Sequence, residues 1–344
     1  MVPNENPAKT ATDYALGIDV GGTNTRIGLF TREGDLLASH SIKTSFLAER
    51  SSLDVINSEF GQIFAVSGLA TTDITKIGLA LPGMVNEQGE LELAPNLDVD
   101  TSRYRKLLKA AFPNAKPCVI NDSNAAALGD MWMGSGAELQ VKNYVVVMVG
   151  TGIGAGLIIN GQLYAGAHGA AGEIGHMCME PEDGRPCKCG KTGCLERYAS
   201  SSGITATAQE FFEQEQKNVE LRKKMGILDS SYMEETRTAQ EVFSNSRDVF
   251  EAAANGDRMA NLAMHSFTEY LARGLSYASK TVNPELFVLG GGVMGSSDIF
   301  MDELQKRYRN YALSVCKETP IIISKIAHDC GIYGAAYFAF HSGE

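Results

Sequence analysis

The sequence predicts a mixed α/β protein built as two related lobes, and three observations carry that expectation. Its 344 residues suffice for two hydrophobic cores of ordinary size. Several apolar runs of strand length end at a glycine or acidic loop, as in α/β sheets that present functional loops at strand ends. The strand, Gly-rich turn, strand pattern around Asp19 also has a counterpart around Tyr144 to Asn160.

Residues 1–12 are polar and contain proline, which predicts a loose tail. Tyr14 to Asp19 reads as a strand, Val20-Gly21-Gly22-Thr23-Asn24 as its turn, and Ile27 to Phe30 as the returning strand. A Rossmann unit would instead continue directly into a helix. Further strands are expected at Lys76 to Leu81, Pro117 to Ile120, Tyr144 to Val149 and Leu286 to Leu289. Met264, Phe267, Leu271, Leu275 and Ala278 follow a helical spacing and predict a core-facing stripe. The charged run from Gln214 to Glu235 predicts a helix and a solvated connection.

Lys+Arg 30 against Asp+Glu 41 gives a formal charge of -11. That mean field disfavours nucleic acid as a partner. The start lacks a basic segment followed by an apolar run, and no stretch approaches an uninterrupted apolar span, so neither a signal peptide nor a membrane partner is expected. Of seven cysteines, Cys187, Cys189 and Cys194 cluster while Cys118, Cys178, Cys316 and Cys330 are scattered. Clustering favours metal ligation over a secreted disulfide framework, and a cytoplasmic location follows as the expectation.

Three glycine-rich junctions can approach a nucleotide. In Asp19-Val20-Gly21-Gly22-Thr23, backbone N–H groups can converge on phosphate oxygens, and Asp19 can organise hydrated magnesium. Gly150-Thr151-Gly152-Ile153-Gly154 follows a strand in the same way, and Gly290-Gly291-Gly292 lets a base or ribose lie against the backbone. Each is also compatible with a plain turn. Neither of the first two matches the Walker pattern, so a P-loop NTPase is excluded.

Asn121-Asp122-Ser123 lies at a strand-to-helix transition. Asp122 or Ser123 can cap the helix, or Asp122 can act as a general base toward a sugar hydroxyl as phosphate arrives. Asn121 offers a donor and an acceptor to neighbouring hydroxyls. Pro82-Gly83 and Pro95-Asn96-Leu97 are candidates for the opposing wall, or ordinary turns.

Glu173 and His176 are three apart, so a short helix or tight turn directs both to one region. With Cys187, Cys189 and Cys194, His176 completes four N/S donors, the set for tetrahedral zinc with no vacancy for an activated water. The alternative is reduced cysteines without metal. Gly190 and Gly193 relieve the bending of the short connection. If one nitrogen of His176 binds zinc, the other can bond a sugar hydroxyl, with Glu173 and Glu196 accepting from its neighbours.

Gly17-Ile-Asp19-Val-Gly-Gly-Thr23, Asn121-Asp122, Gly150-Thr-Gly-Ile-Gly154, Gly172-Glu173-Ile-Gly-His176, the cysteine cluster and Leu289-Gly-Gly-Gly-Val293 together resemble the bacterial ROK group of sugar kinases and sugar-responsive repressors. The resemblance runs over nearly the whole chain. It implies an actin-like, ribonuclease-H-like fold with two lobes around a central cleft, ATP with magnesium, a structural zinc, and a hexose. Residues 1–120 plus 331–344 would form the N-terminal lobe and 121–330 a larger lobe holding the zinc. By motif, Asp122 would be the catalytic base, and Gly83, Asn96, Asn121, Glu173, His176 and Glu196 would line the sugar. Zinc would take His176, Cys187, Cys189 and Cys194. Asp19, Gly21, Gly22 and Thr23 would organise phosphate and magnesium, with Gly150, Thr151, Gly152, Gly154 and Gly290 to Gly292 on the nucleotide. The polar stretch at 214–235 is longer than in compact relatives.

The implied activity is phosphorylation of a hexose 6-hydroxyl. Glucose comes first by resemblance to ROK glucokinases, and fructose, N-acetylmannosamine or N-acetylglucosamine are alternatives. A homodimer is the family expectation. The family's repressors carry a helix-turn-helix region before the kinase-like body, and Asp19 lies too near the start of this sequence to leave room for one.

Overall fold

The structure, a computed structural model, describes residues 14–44, 53–85, 91–93, 101–228 and 237–342. The N-terminal tail, the Pro95-Asn96-Leu97 wall and residues 229–235 of the charged run lie outside these. In chain order the elements begin with β1 (Tyr14–Val20), β2 (Asn24–Thr31), β3 (Leu36–Lys43), α1 (Leu53–Ser67), β4 (Lys76–Leu81), β5 (Met84–Val85) and β6 (Leu91–Leu93). There follow α2 (Thr101–Ala111), β7 (Lys116–Asn121), α3 (Asp122–Met133), α4 (Ser135–Leu139), β8 (Tyr144–Val149), β9 (Ile153–Ile159) and β10 (Gln162–Leu163). The remainder is α5 (Glu196–Ala199), α6 (Ser201–Lys224), α7 (Ala239–Val242), α8 (Ser246–Ala254), α9 (Arg258–Val282), β11 (Leu286–Gly290), α10 (Met301–Tyr311), β12 (Ile321–Ile323) and α11 (Cys330–His341).

The chain divides into two compact units. One comprises Met1–Val146, Gly156–Gly172 and Ser324–Glu344, the other Val147–Ala155 and Glu173–Ile323. Two five-stranded sheets run β3-β2-β1-β4-β7 and β10-β9-β8-β11-β12, beside a small β5-β6 pair. Each large sheet therefore repeats one succession: its first strand is central, the next two follow outward on one side, and the last two lie on the other. In the first sheet β2 is antiparallel to β1 and to β3, while β4 and β7 are parallel additions. That repetition gives physical content to the similarity between the two strand-turn-strand segments.

In the first unit, alternation along β1 divides its side chains between two faces. Leu16, Ile18 and Val20 join Phe60 and Phe64 of α1 and Tyr104 and Leu108 of α2 in one buried core. The other face carries Ala15, which packs with Phe30 and with Ile332, Ala336 and Phe340 of α11. Gly17 lies on that second face, in register with Gly28 of β2 and Gly78 of β4. A Cβ at Gly17 would collide with the Ile332 carbonyl, and one at Gly78 with that of Ala335. The bare strands thus let the backbone of α11 lie directly on the sheet. On its far side, Gly334 brings α11 equally close to the Ala125 carbonyl of α3.

In the second unit, the expected stripe on α9 is buried throughout, from Met264 at 7% exposure to Phe267, Leu271 and Leu275 at 0%. Asp257 caps the helix, its Oδ1 accepting from Ala260 N at 2.8 Å. The charged run contributes the C-terminal part of α6, which ends on Arg222, Lys223 and Lys224, favourable charges beside the helix's terminal carbonyls. Among the described residues no helix is long and apolar enough to cross a membrane.

Candidate functional site

In the first unit the turn after β1 is pinned rather than strained. Gly21 N donates to Asn24 O at 3.1 Å, and Gly21 O accepts from the Thr44 hydroxyl at 2.7 Å. Neither Gly21 nor Gly22 has positive φ. Gly21 is required by close approach, since a Cβ there would stand 2.8 Å from Asn24 O, whereas Gly22 faces open space. Thr23 is exposed at the tip.

Asp19 is half-buried at the end of the same strand, against Gly331 in the first turn of α11. Burial, and secondarily the charge of Asp122, push its pKa up from 3.8 to about 7, against the opposing pull of Arg26. Arg26 itself is held by Asp329 at 2.6 Å.

The helix that follows β7 is capped by Asn121, not by Asp122 or Ser123. Asn121 is the last extended residue, and its Oδ1 accepts from Asn124 N at 2.9 Å. Asp122 is already in the first helical turn, where its Oδ1 accepts from Ser123 N at 2.7 Å, fixing the carboxylate's direction. The Asn121 amide also donates to Gly83 O at 2.9 Å. Gly83 has φ +129°, a conformation L side chains rarely adopt, so this turn requires glycine. Gly83, Asn121 and Asp122 thus form one connected group, while Asn96 lies outside the described residues.

In the second unit, the Gly150–Gly154 loop is tied to the start of α6. Ser201 N donates to Gly150 O at 2.8 Å, and the Ser202 hydroxyl to Thr151 O at 3.0 Å. A Cβ on Gly152 would lie 2.9 Å from Glu196 Oε2, so this loop and the glutamate are immediate neighbours. Gly154 is partly exposed on β9. Gly290 ends β11, Gly291 turns with φ +92° over the end of β8, and Gly292 opens a 3-10 helix with space around its Cα.

The metal candidates converge. A 3-10 helix over Ile174–His176 follows Glu173, and one donor atom each from His176, Cys187, Cys189 and Cys194 lie within 4.8 Å of one another. Cys189 and Cys194 sulfurs are 3.6 Å apart, and Cys187 Sγ is 3.7 Å from His176 Nδ1. Zn–S bonds near 2.3 Å and Zn–N bonds near 2.0–2.1 Å on a tetrahedron imply edges of about 3.8 and 3.6 Å. Donor chemistry and spacing therefore both fit zinc. Gly190 and Gly193 adopt φ +85° and +74°, letting the loop fold back on itself. Cys178 pairs across the bridge with Cys194, yet its thiol points to Thr192 O at 3.7 Å and stands outside the donor set.

The two carboxylates flank the histidine. Glu173 Oε2 is 3.8 Å from His176 Nε2, and Glu196 Oε1 is 3.8 Å from Nδ1 and 3.1 Å from Cys187 Sγ. Burial pushes Glu173 up, with His176 lowering it and Glu196 raising it. Sequence reasoning missed the support beneath this centre: Glu180, Arg185, Tyr198, Tyr270 and Arg273. Nothing in the run Glu180-Pro-Glu-Asp-Gly-Arg185 separates a buried anchor from a solvated charge.

A profile of the ROK family matches residues 15–341. A glucokinase of Halalkalibacterium halodurans is 31% identical over 331 residues, covering 94% of each chain. An N-acetyl-D-glucosamine kinase of Vibrio vulnificus is 29% identical over 334 residues, covering 93% of this chain and 97% of its own. The crystal structure of a ROK family glucokinase from Streptomyces griseus with glucose and AMPPNP matches with a TM-score of 0.76 and 25% identity, over 95% of this chain and 99% of that one. The fold is that of the actin-like ATPases, shared with ROK sugar kinases. From the profile match and the full-length similarity, the chain belongs to the ROK family.

Proposed function

We propose that the protein is an ATP-dependent sugar kinase that phosphorylates the 6-hydroxyl of a hexose, glucose first. The observation that carries this reading is the pairing of Glu173 and Glu196 around a histidine whose other neighbours are metal-donor thiols. Glucokinase relatives support glucose, and the N-acetyl-D-glucosamine kinases support a second hexose as the alternative.

In this reading Cys187, Cys189, Cys194 and His176 hold zinc, whose filled shell supplies rigidity rather than an activated water. His176 Nδ1 is the nitrogen on the Cys187 side. Nε2, on the Glu173 side, then faces the sugar, and Glu173 and Glu196 accept from its hydroxyls. Asn121 donates from the amide hydrogen that Gly83 does not use, and Gly83 and Asn96 complete the sugar wall. Asp122 accepts the 6-hydroxyl proton as that oxygen attacks the γ-phosphorus and the bond to ADP breaks. Backbone N–H groups around Gly21 to Thr23 and Gly150 to Gly154 take the phosphates, with Gly290 to Gly292 against the nucleoside. Asp19 would hold hydrated magnesium, which would supply charge neutralisation at the phosphates.

The test is ADP release over glucose, fructose, mannose and the N-acetylated amino sugars, alongside Asp122→Asn. Sugar and ATP binding should survive that substitution while turnover falls by about 10²-fold or more. Near-normal turnover would remove Asp122 from the base role. Hexose binding with no ADP release in the unaltered chain would sink the kinase reading.

A further inference from the structure

Below the metal donors, one side chain reaches more of the site's framework than any donor does. Arg185 lies two residues before Cys187, with its side chain only 16% exposed. Its Nη1 donates to Arg197 O at 2.7 Å, and its Nη2 to the Thr207 hydroxyl at 2.9 Å and to Glu210 Oε2 at 2.5 Å. Its backbone is held as well: the N–H donates to the Tyr198 hydroxyl at 2.8 Å, and the carbonyl accepts from Gly193 N at 2.9 Å. The residue therefore ties the loop of Cys187 and Cys189 to α5, which carries Glu196, and to α6.

The guanidinium also begins a four-layer stack. It lies 4.7 Å over the Tyr198 ring, Tyr198 stacks on Tyr270 at 4.4 Å, and Arg273 covers Tyr270 at 5.5 Å. Tyr270 donates to Glu180 Oε1 at 2.9 Å, on the other limb of the same loop. Planar cations at both ends of an aromatic pair make a stiff frame, and a fork of fixed donors resists rotation in a way one ammonium does not.

Zinc can fix its four donors directly, whereas Glu196 is not one of them and is reached only through its neighbours Cys187 and Cys194. We propose that Arg185 is a positioning residue that sets the direction of Glu196 toward the sugar by locking the metal-bearing loop onto α5 and α6. This rests on the sugar-kinase reading above. The hydrogen bonds of the Arg185 guanidinium end on Glu210, the Thr207 hydroxyl and backbone oxygens, so it acts through geometry rather than by touching substrate.

The experiment compares Arg185→Met and Arg185→Lys in the zinc-loaded full chain. Arg185→Met should raise the glucose KM by about tenfold, with kcat and the ATP KM within about twofold and zinc content retained. Arg185→Lys keeps a charge over Tyr198 but cannot span Arg197 O and Thr207 together; it should recover thermal stability without recovering the glucose KM. A Lys variant that restores both, or a Met variant with unchanged glucose KM, overturns the proposal. Should Arg185→Met not fold, Thr207→Val removes, at nearly constant volume, the hydroxyl that accepts from Arg185 Nη2 and donates to Gly203 O within its own helix, and should raise the glucose KM by about threefold; no change overturns it. If the unaltered chain phosphorylates no hexose, the functional reading fails by itself. The rate of zinc release to a chelator then decides: faster release in Arg185→Lys supports the lock, and an equal rate overturns it.

Discussion

Asp19→Asn removes one ionisation from the first unit while keeping the side chain's size, and its effect on stability depends on pH. Burial, followed by the charge of Asp122, raises the Asp19 carboxyl from 3.8 to about 7. The native chain thus keeps this proton up to about pH 7, whereas the unfolded chain releases it near 3.8. Between those values the native state binds more protons, so the free energy of unfolding falls as pH rises. The contribution is fully present below pH 3.8 and lost as pH passes through 7. At about 1.4 kcal/mol per pH unit, a window of roughly three units spans about 4 kcal/mol as an upper figure, which the residual exposure of Asp19 reduces. The N-terminus of α11 favours the anion by only about 0.3–1 kcal/mol and does not reverse the sign.

Urea unfolding of both chains from pH 4 to 8.5 in magnesium-free buffer reads this directly. The two should be nearly equal in stability near pH 4. Above pH 7 the asparagine variant should be more stable by a few kcal/mol, and added magnesium should narrow that gap by neutralising the carboxylate. A difference that does not vary with pH, or a native chain that gains on the variant as pH rises, would refute the reasoning.

Gly17→Ala places a methyl group against the Ile332 carbonyl and should cost about 3 kcal/mol in urea unfolding. Gly61→Ala, in α1 with nothing within 4 Å of its Cβ, should instead gain about 0.5–1 kcal/mol; equal effects would contradict the close approach of α11. Cys189→Ser should lower zinc affinity by about tenfold or more and raise the hexose KM with it. Unchanged sugar affinity after measured zinc loss would separate the metal from sugar binding.

The sequence made some of this legible because certain patterns are local. The strands at 14–19, 76–81, 144–149 and 286–289 are short apolar runs, closed by an acid, by Pro82-Gly83 or by glycine, and the α9 stripe is a simple period. The convergence of His176 with three thiols followed from their crowding within 19 residues. Other features depend on partners far along the chain. Gly17 reads as a weak strand residue until Ile332 is known to lie on it. The sequence offers Asp122 or Ser123 as the cap, and only the boundary between β7 and α3 moves the cap one residue back to Asn121. Arg185 resembles its charged neighbours in sequence, and its partners at 197–210 come from two other elements, α5 and α6. β3, whose exposure alternates along an outer strand of its sheet, carries too little apolar signal to be read as a strand.

The glycine seam under α11 also bears on how the chain is made. The sheet that begins with Tyr14–Val20 is finished only when residues 330–341 reach it, more than 300 positions later. During synthesis the second unit, ending at Ile323, has all its parts before the first does. The face of β1, β2 and β4 bearing Gly17, Gly28 and Gly78 stays uncovered until then. Completion of the first unit therefore waits on residues 330–341, an order that prolongs the exposure of that face while the chain is being made.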